Sequence, residues 1–213
     1  MGPTDMLELY GCRGCGSAAI EALLEWAGVA YTFHDVEPKT AGPEADAFFA
    51  LNPLRQVPTV RFGDGTVLSE SAAIILVLAE QHPAARLLPL VGDAARITAL
   101  RWIVFIAANL YPAISVGDFP ERWVEREDAR QALKEGSRKR LEYYWQVLER
   151  ALKPAPYLAG HEMTALDVYA TMVAQWGPGR AWIDAQCPHI ASALALVERQ
   201  PFVARVWERN FKV

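Results

Sequence analysis

The sequence is poor in cysteine, lacks a long uninterrupted apolar run and has no surplus of positive charge. Three cysteines in 213 residues cannot form the disulfide framework that staples small secreted domains, and they favour a reducing compartment, the cytoplasm. Lys and Arg number 21 against 25 Asp and Glu, a net charge of −4. Binders of phosphate backbones depend on clustered basic side chains, so nucleic acid is not an expected partner. The longest apolar stretch, Trp102 to Val116, contains Asn109 and Pro112 and falls short of the ~20 residues of a membrane helix. It is read as a core helix, and no membrane is expected as a partner. Met1 to Tyr10 has neither the basic nor the apolar segment of a signal peptide. His34, His82, His161 and His189 lie without ligand spacing, so no metal site is expected.

What is there is ordinary globular material, 52% hydrophobic and 22% charged, enough for one large domain or two small ones. Charge divides it unevenly: residues 1–83 hold 4 basic and 11 acidic side chains, residues 84–213 hold 17 and 14. That shift suggests a first domain over 1–83, a short Pro-containing linker over 84–92 and a second domain over 93–213. In the first, Met6 to Tyr10 alternates as a strand, and Ile20, Leu23, Leu24 and Ala27 give the helical spacing of Ser17 to Gly28. Tyr31 to Val36 is a second strand, making a parallel unit with a crossover. Pro43 to Leu51 is a short helix with Pro at its first position. After residue 92 the pattern is all helical, with helices over 94–111, 122–152, 164–176, 188–196 and 201–210. Thr164-Ala165-Leu166-Asp167 is a capping box in which Asp replaces the usual Glu, and Met163 is placed to staple onto Val168.

The stretch from Gln56 to Ser71 carries the chemistry. Val57, Val60, Phe62, Val67 and Leu68 favour strands, and Gly63-Asp64-Gly65 supplies the backbone freedom of a tight hairpin. Pro58 opens the first strand, and an X-Pro bond is the common place for a cis peptide. The extended backbone of Val57 can then pair with a bound peptide as an added strand. Ser69 is the expected N-cap of a helix running to Glu80. Glu70 is placed to take an ammonium, and the Ser71 N–H and hydroxyl at the helix N-terminus to take a carboxylate. This suits a small peptide bearing both groups on one carbon.

Val57-Pro58 followed by Glu70-Ser71, after Asn52-Pro53, resembles the glutathione-binding half of the cytosolic glutathione transferases. The resemblance implies a thioredoxin-like N-terminal domain, βαβαββα, and an all-α C-terminal domain. It implies glutathione as co-substrate, with Val57, Pro58, Glu70 and Ser71 binding it, Lys39 on its glycyl carboxylate and Gln56 as a supporting donor. It also implies a homodimer. Arg55 departs from the glycine common in the family. Counted from Tyr10, Cys15 falls where such domains place a nucleophilic Cys or Ser, at the positive end of the first helix. Cys15 therefore leads for the contact with the glutathione sulfur, with Ser17 and Tyr10 as alternatives. The same register argues against a dithiol: a resolving cysteine would fall at Ala18, and Cys12 reads as a loop residue. The expected activity is conjugation of the glutathione thiolate to a small hydrophobic electrophile. The alternatives are glutathione-dependent thiol–disulfide exchange through Cys15 and a binding module without turnover.

Overall fold

The structure, a computed structural model, describes residues 6–36 and 42–211. The chain divides into two compact units, one formed by the chain up to Leu87 together with the stretch from Arg199 onward, the other by Leu88–Glu198. The C-terminal stretch, assigned by sequence to the helical domain over 93–213, is thus grouped with the first unit. Residues 84–92, read as a linker, overlap a short 3₁₀ turn at Pro83–Ala85 and contain the buried Leu87 and Leu88.

In the first unit the order is β1 (Leu7–Gly11), α1 (Ser17–Ala27), β2 (Tyr31–Asp35), α2 (Pro43–Leu51), β3 (Thr59–Arg61), β4 (Val67–Ser69) and α3 (Ser71–Gln81). This is the expected βαβαββα arrangement. The sheet order is β2-β1-β3-β4, with β1 parallel to β2 and the other pairs antiparallel. Alternation sorts the two faces. Leu7, Leu9 and Val60 are buried on the face that looks toward α1, while Tyr10 stacks on Phe48 of α2, ring centroids 5.7 Å apart. The hairpin needs one left-handed residue, Gly65 at φ 87°, and the Asp64 carboxylate accepts from the Thr66 N–H at 2.8 Å.

The last helix, α10 (Pro201–Phe211), packs on α1. Glu21 of α1 is 6% exposed, a costly place for a carboxylate unless it is fully hydrogen-bonded. Arg209 donates to it at 2.6 and 3.1 Å, Asn210 at 2.8 Å and Tyr31 at 3.2 Å. Arg205 and Arg209 also pair with Glu25, so polar bonding fixes α10 at this position.

The second unit is all helical: α4 (Ala94–Phe105), a π turn (Ile106–Leu110), α5 (Tyr111–Asp118), α6 (Glu127–Ala151), α7 (Ala165–Val173), α8 (Arg180–Gln186) and α9 (Pro188–Glu198). Helix α8 has no counterpart among the sequence expectations. The expected 94–111 helix instead runs on to Asp118, because the π turn just before Pro112 accommodates a residue that has no N–H to give. Among the described residues this 25-residue run is long and apolar enough to cross a membrane by length and composition. Its Trp102, Ile103, Ile106, Leu110 and Ile114 are nevertheless buried, and the run packs on α6 and α7. Ser137 of α6 donates to the Ala113 carbonyl, and a Cβ at Gly117 would stand 3.0 Å from its hydroxyl, a close helix approach built from small residues.

Helix α7 starts with the expected capping box. The Asp167 carboxylate, fully buried, accepts from the Leu158 N–H at 2.7 Å, the Thr164 N–H at 2.8 Å and the Thr164 hydroxyl at 2.8 Å. Burial pushes its carboxyl up to about 6, and those three donors oppose the rise. Its role is structural.

Candidate functional site

Register gathers the site. Tyr10 of β1 lies opposite Thr59 of β3, and Thr59 lies opposite Ser69 of β4. The residues that follow Tyr10, precede Thr59 and follow Ser69 therefore leave the sheet at one end. They are Cys12 to Gly16, Val57-Pro58 and Glu70-Ser71. That end lies beyond the carboxyl ends of the parallel strands, where open α/β sheets commonly bind ligands.

The Val57–Pro58 bond is cis, the isomer that an X-Pro bond makes accessible. Among the described residues, the Val57 N–H and C=O take no backbone partner. Asn52, 4% exposed, organises the approach: its Nδ2 donates to the Gln56 carbonyl and to Thr59 Oγ1, both at 2.9 Å, and its Oδ1 accepts from the Leu54 N–H at 3.1 Å. In the sequence Asn52 stands only as part of the Asn52-Pro53 motif. Its burial between a helix and an X-Pro strand was not visible there. Gln56 is exposed, its carbonyl occupied by Asn52 and Thr59. Arg55 has φ 55°, a left-handed conformation that glycine adopts without cost, and its guanidinium lies 4.0 Å over the Phe49 ring. Lys39 lies outside the described residues.

Ser69 is not the N-cap of α3. It remains in β4 opposite Thr59, and Glu70 occupies the cap with φ 69° and ψ 107°. A positive φ on a non-glycine residue is a strained conformation that persists where neighbours over-determine it, often at ligand sites. It leaves the Glu70 side chain exposed, with Ser71 half-buried as the first helical residue. No side chain caps α3, so its first amides remain available to an anion.

At the other edge of the site, the turn before α1 corrects the sequence reading. Cys12 and Cys15 are joined by a disulfide, with Cα atoms 5.5 Å apart, so Cys12 is not an unpaired loop residue and Cys15 is not a free thiol here. Gly14 at φ 70° makes the reversal, and the Cys15 N–H donates to the Cys12 carbonyl at 3.3 Å. The Cys-x-x-Cys spacing was the signal for this pair. Register against other thioredoxin-like domains set it aside, because register does not report where the loop folds back.

Ser17 is fully buried, and its hydroxyl accepts from the Cys12 N–H at 3.3 Å and donates to the Cys12 carbonyl at 3.2 Å. Its single proton is thus committed, which removes it as a donor to a substrate sulfur. Gly11 is required beside it: a Cβ there would stand 2.4 Å from Ser17 Oγ and 2.9 Å from the Phe33 ring. That contact also shows which face of β1 looks toward α1, and Tyr10, one residue earlier, points to the opposite face. Tyr10 donates to Glu8 at 2.6 Å and stacks on His34 with centroids 4.6 Å apart. Burial, then the Glu8 hydrogen bond, pushes its hydroxyl up to about 12, which makes it a poor proton donor to a thiolate. Tyr10 is therefore part of the packing under α2. The Gly16 and Ser17 N–H groups have no backbone partner among the described residues. No group of three His, Cys, Asp or Glu able to hold a metal occurs among the described residues.

Residues 17–81 match the family model described as the glutathione S-transferase N-terminal domain. An uncharacterised GST-like protein of Escherichia coli K12, YncG, is 35% identical over 209 residues, which is 96% of this chain and 98% of the relative. The glutathione S-transferase GstA of E. coli O157:H7 is 28% identical over 198 residues, 92% of this chain and 95% of its own. Among solved structures, a glutathione transferase homologue from Sulfitobacter with bound glutathione superposes with a TM-score of 0.82 at 22% identity, covering 95% and 97% of the two chains. A sphingomonad glutathione S-transferase complexed with glutathione gives 0.78 at 22% identity, over 97% and 100%.

Proposed function

The chain belongs to the glutathione S-transferase family, and from that premise we propose that it binds glutathione at the end of the sheet and transfers its thiolate to a small hydrophobic electrophile. The observation that carries the reading is the meeting of three unsatisfied features at that end: the unpaired Val57 backbone, the strained Glu70 with the uncapped start of α3, and the turn before α1. Glutathione lies extended along Val57. Its γ-glutamyl ammonium pairs with Glu70, and its α-carboxylate takes the Ser71 N–H and hydroxyl. Lys39 and Gln56 remain the proposed partners of the glycyl carboxylate. The sulfur points to the start of α1, where the Gly16 and Ser17 amides and the helix dipole favour a thiolate. In the reduced protein Cys15 adds a thiol to that position; Ser17 holds the turn in shape. Holding the thiolate against the electrophile supplies proximity, and its stabilisation raises the reactive fraction at neutral pH. This chemistry requires reduced glutathione, which the proposed cytoplasmic location would supply. A homodimer follows from family membership as a further expectation, checked by sedimentation at micromolar concentration.

A second reading, thiol–disulfide exchange, is favoured by the disulfide at Cys15. Titration calorimetry with glutathione and conjugation of a chlorinated nitrobenzene test the first reading. Wild type binds and conjugates; Glu70→Ala binds roughly tenfold more weakly, the loss of one charge-assisted hydrogen bond. Unchanged affinity in Glu70→Ala removes the assignment, and glutathione binding without conjugation leaves exchange or a binding module.

A further inference from the structure

We propose that Cys12 and Cys15 are a redox couple that glutathione opens and that, once reduced, acts on mixed disulfides of glutathione, with Cys15 the attacking and Cys12 the resolving sulfur. The proposal deepens the exchange reading above and rests on glutathione binding at the same site.

Three observations carry it. First, the hydrogen bonds that close the turn do not involve sulfur. The Cys15 N–H reaches the Cys12 carbonyl, and Ser17 Oγ bonds both the N–H and the carbonyl of Cys12. Breaking the S–S bond therefore leaves both thiols within reach of each other, so reclosure stays intramolecular and fast. Second, the two sulfurs belong to residues of different exposure. Cys12 is buried at 9% exposure, whereas Cys15 is partly exposed just before α1. An incoming thiolate is thus directed to Cys15. Third, β1 and β3 run antiparallel with Tyr10 opposite Thr59, so the turn emerges at the same sheet end as Val57. The proposed peptide site and the disulfide share one edge. A disulfide in a reducing compartment is characteristically catalytic or redox-sensing.

The steps balance. A glutathione thiolate attacks Cys15 Sγ; a glutathione–Cys15 bond forms, the Cys12–Cys15 bond breaks, and Cys12 leaves as a thiolate that takes a proton from water. A second glutathione thiolate attacks the glutathione sulfur of that mixed disulfide, releasing oxidised glutathione and the Cys15 thiolate. Two electrons have passed from two glutathiones to the protein. In the working direction, Cys15 attacks the glutathione sulfur of a mixed disulfide and expels the other partner as a thiol. Cys12 then attacks Cys15 and releases glutathione, restoring the disulfide.

The test uses the full chain purified in air, alkylated after acid denaturation and weighed intact. Untreated protein is expected to take one alkyl group, on Cys187, and glutathione-treated protein three. Cys12→Ser exposed to oxidised glutathione gains one glutathionyl group, on Cys15. Cys15→Ser gains it at least ~10-fold more slowly, because Cys12 is buried. Three alkyl groups before any reductant, a disulfide that neither glutathione nor 2-mercaptoethanol opens, or equal glutathionylation of the two variants overturns the proposal. The two thiols also separate it from the peptide site. If that site operates, Glu70→Ala slows opening by glutathione roughly tenfold and leaves opening by 2-mercaptoethanol unchanged. If opening proceeds equally with both thiols and is indifferent to Glu70→Ala, the redox couple stands and the peptide site falls.

Discussion

Two kinds of helix start occur in this chain, and they differ in what is left unsatisfied. At α7 the capping box closes on itself: Thr164 and Asp167 bond each other's ends, and Leu158 fills the remaining carboxylate oxygen. At α3 and α1 no side chain caps the first amides. Glu70 adopts a strained backbone in doing so, and the turn before α1 is held by Ser17 while the Gly16 and Ser17 amides take no backbone partner among the described residues. The saturated start holds structure; the two open starts at the sheet end are the ones proposed to hold a ligand. The contrast predicts that substitutions at α7 change stability and substitutions at α3 and α1 change binding.

The largest effect is expected at Asp167. Asp167→Ala leaves the Leu158 and Thr164 N–H groups buried without partners and is expected to cost about 3 kcal/mol in urea unfolding. A loss under ~1 kcal/mol would break the contrast from the structural side. Its titration sharpens the same point. Burial raises the Asp167 carboxyl to about 6 in the folded protein, above its unfolded value. The stability this group contributes is therefore full below about pH 4 and is lost as pH rises through about 6. The stability difference between wild type and Asp167→Asn is expected to fall across that window, and a flat or rising difference contradicts the assignment.

Gly11→Ala comes next, at about 1–3 kcal/mol for overpacking, since the new Cβ collides with Ser17 and Phe33. Because the collision displaces the hydroxyl that holds Cys12, the turn should loosen as well, read as faster alkylation of Cys12 after reduction. Glu70→Gly divides stability from function most sharply. Relief of the positive φ is expected to raise stability by up to about 1 kcal/mol while glutathione affinity falls. Lower stability with unchanged affinity would invert the contrast. Tyr10→Phe is the smallest: it removes the Glu8 hydrogen bond on the far face of the sheet and leaves conjugation within about twofold of wild type.

Much of the fold could be read from periodicity. The alternation of Met6 to Tyr10, the apolar spacing after Ser17 and the Gly-Asp-Gly turn each act locally, and each formed the expected element within a residue or two. The proposed binding half could be placed at one end of the sheet for the same reason, because Val57-Pro58 and Glu70-Ser71 are adjacent residues at element ends. The thiol half was not. Whether Cys15 is free or bonded depends on Gly14 folding the loop back, and whether Ser17 has a proton to give depends on a carbonyl five residues away. Tyr10 stood as a candidate until strand alternation turned it toward Phe48. The position of α10 was hidden because amphipathicity marks a buried face without naming its partner. Glu21 and Arg209, 188 residues apart in sequence, supply that partner.

A crystal structure of the reduced full chain grown with glutathione tests the central claim most directly. The account predicts the peptide extended along Val57, its ammonium on Glu70, its carboxylate at the Ser71 amide and its sulfur within contact of Cys15. Glutathione bound elsewhere, or a sulfur directed to Tyr10 on the opposite face of the sheet, would contradict it.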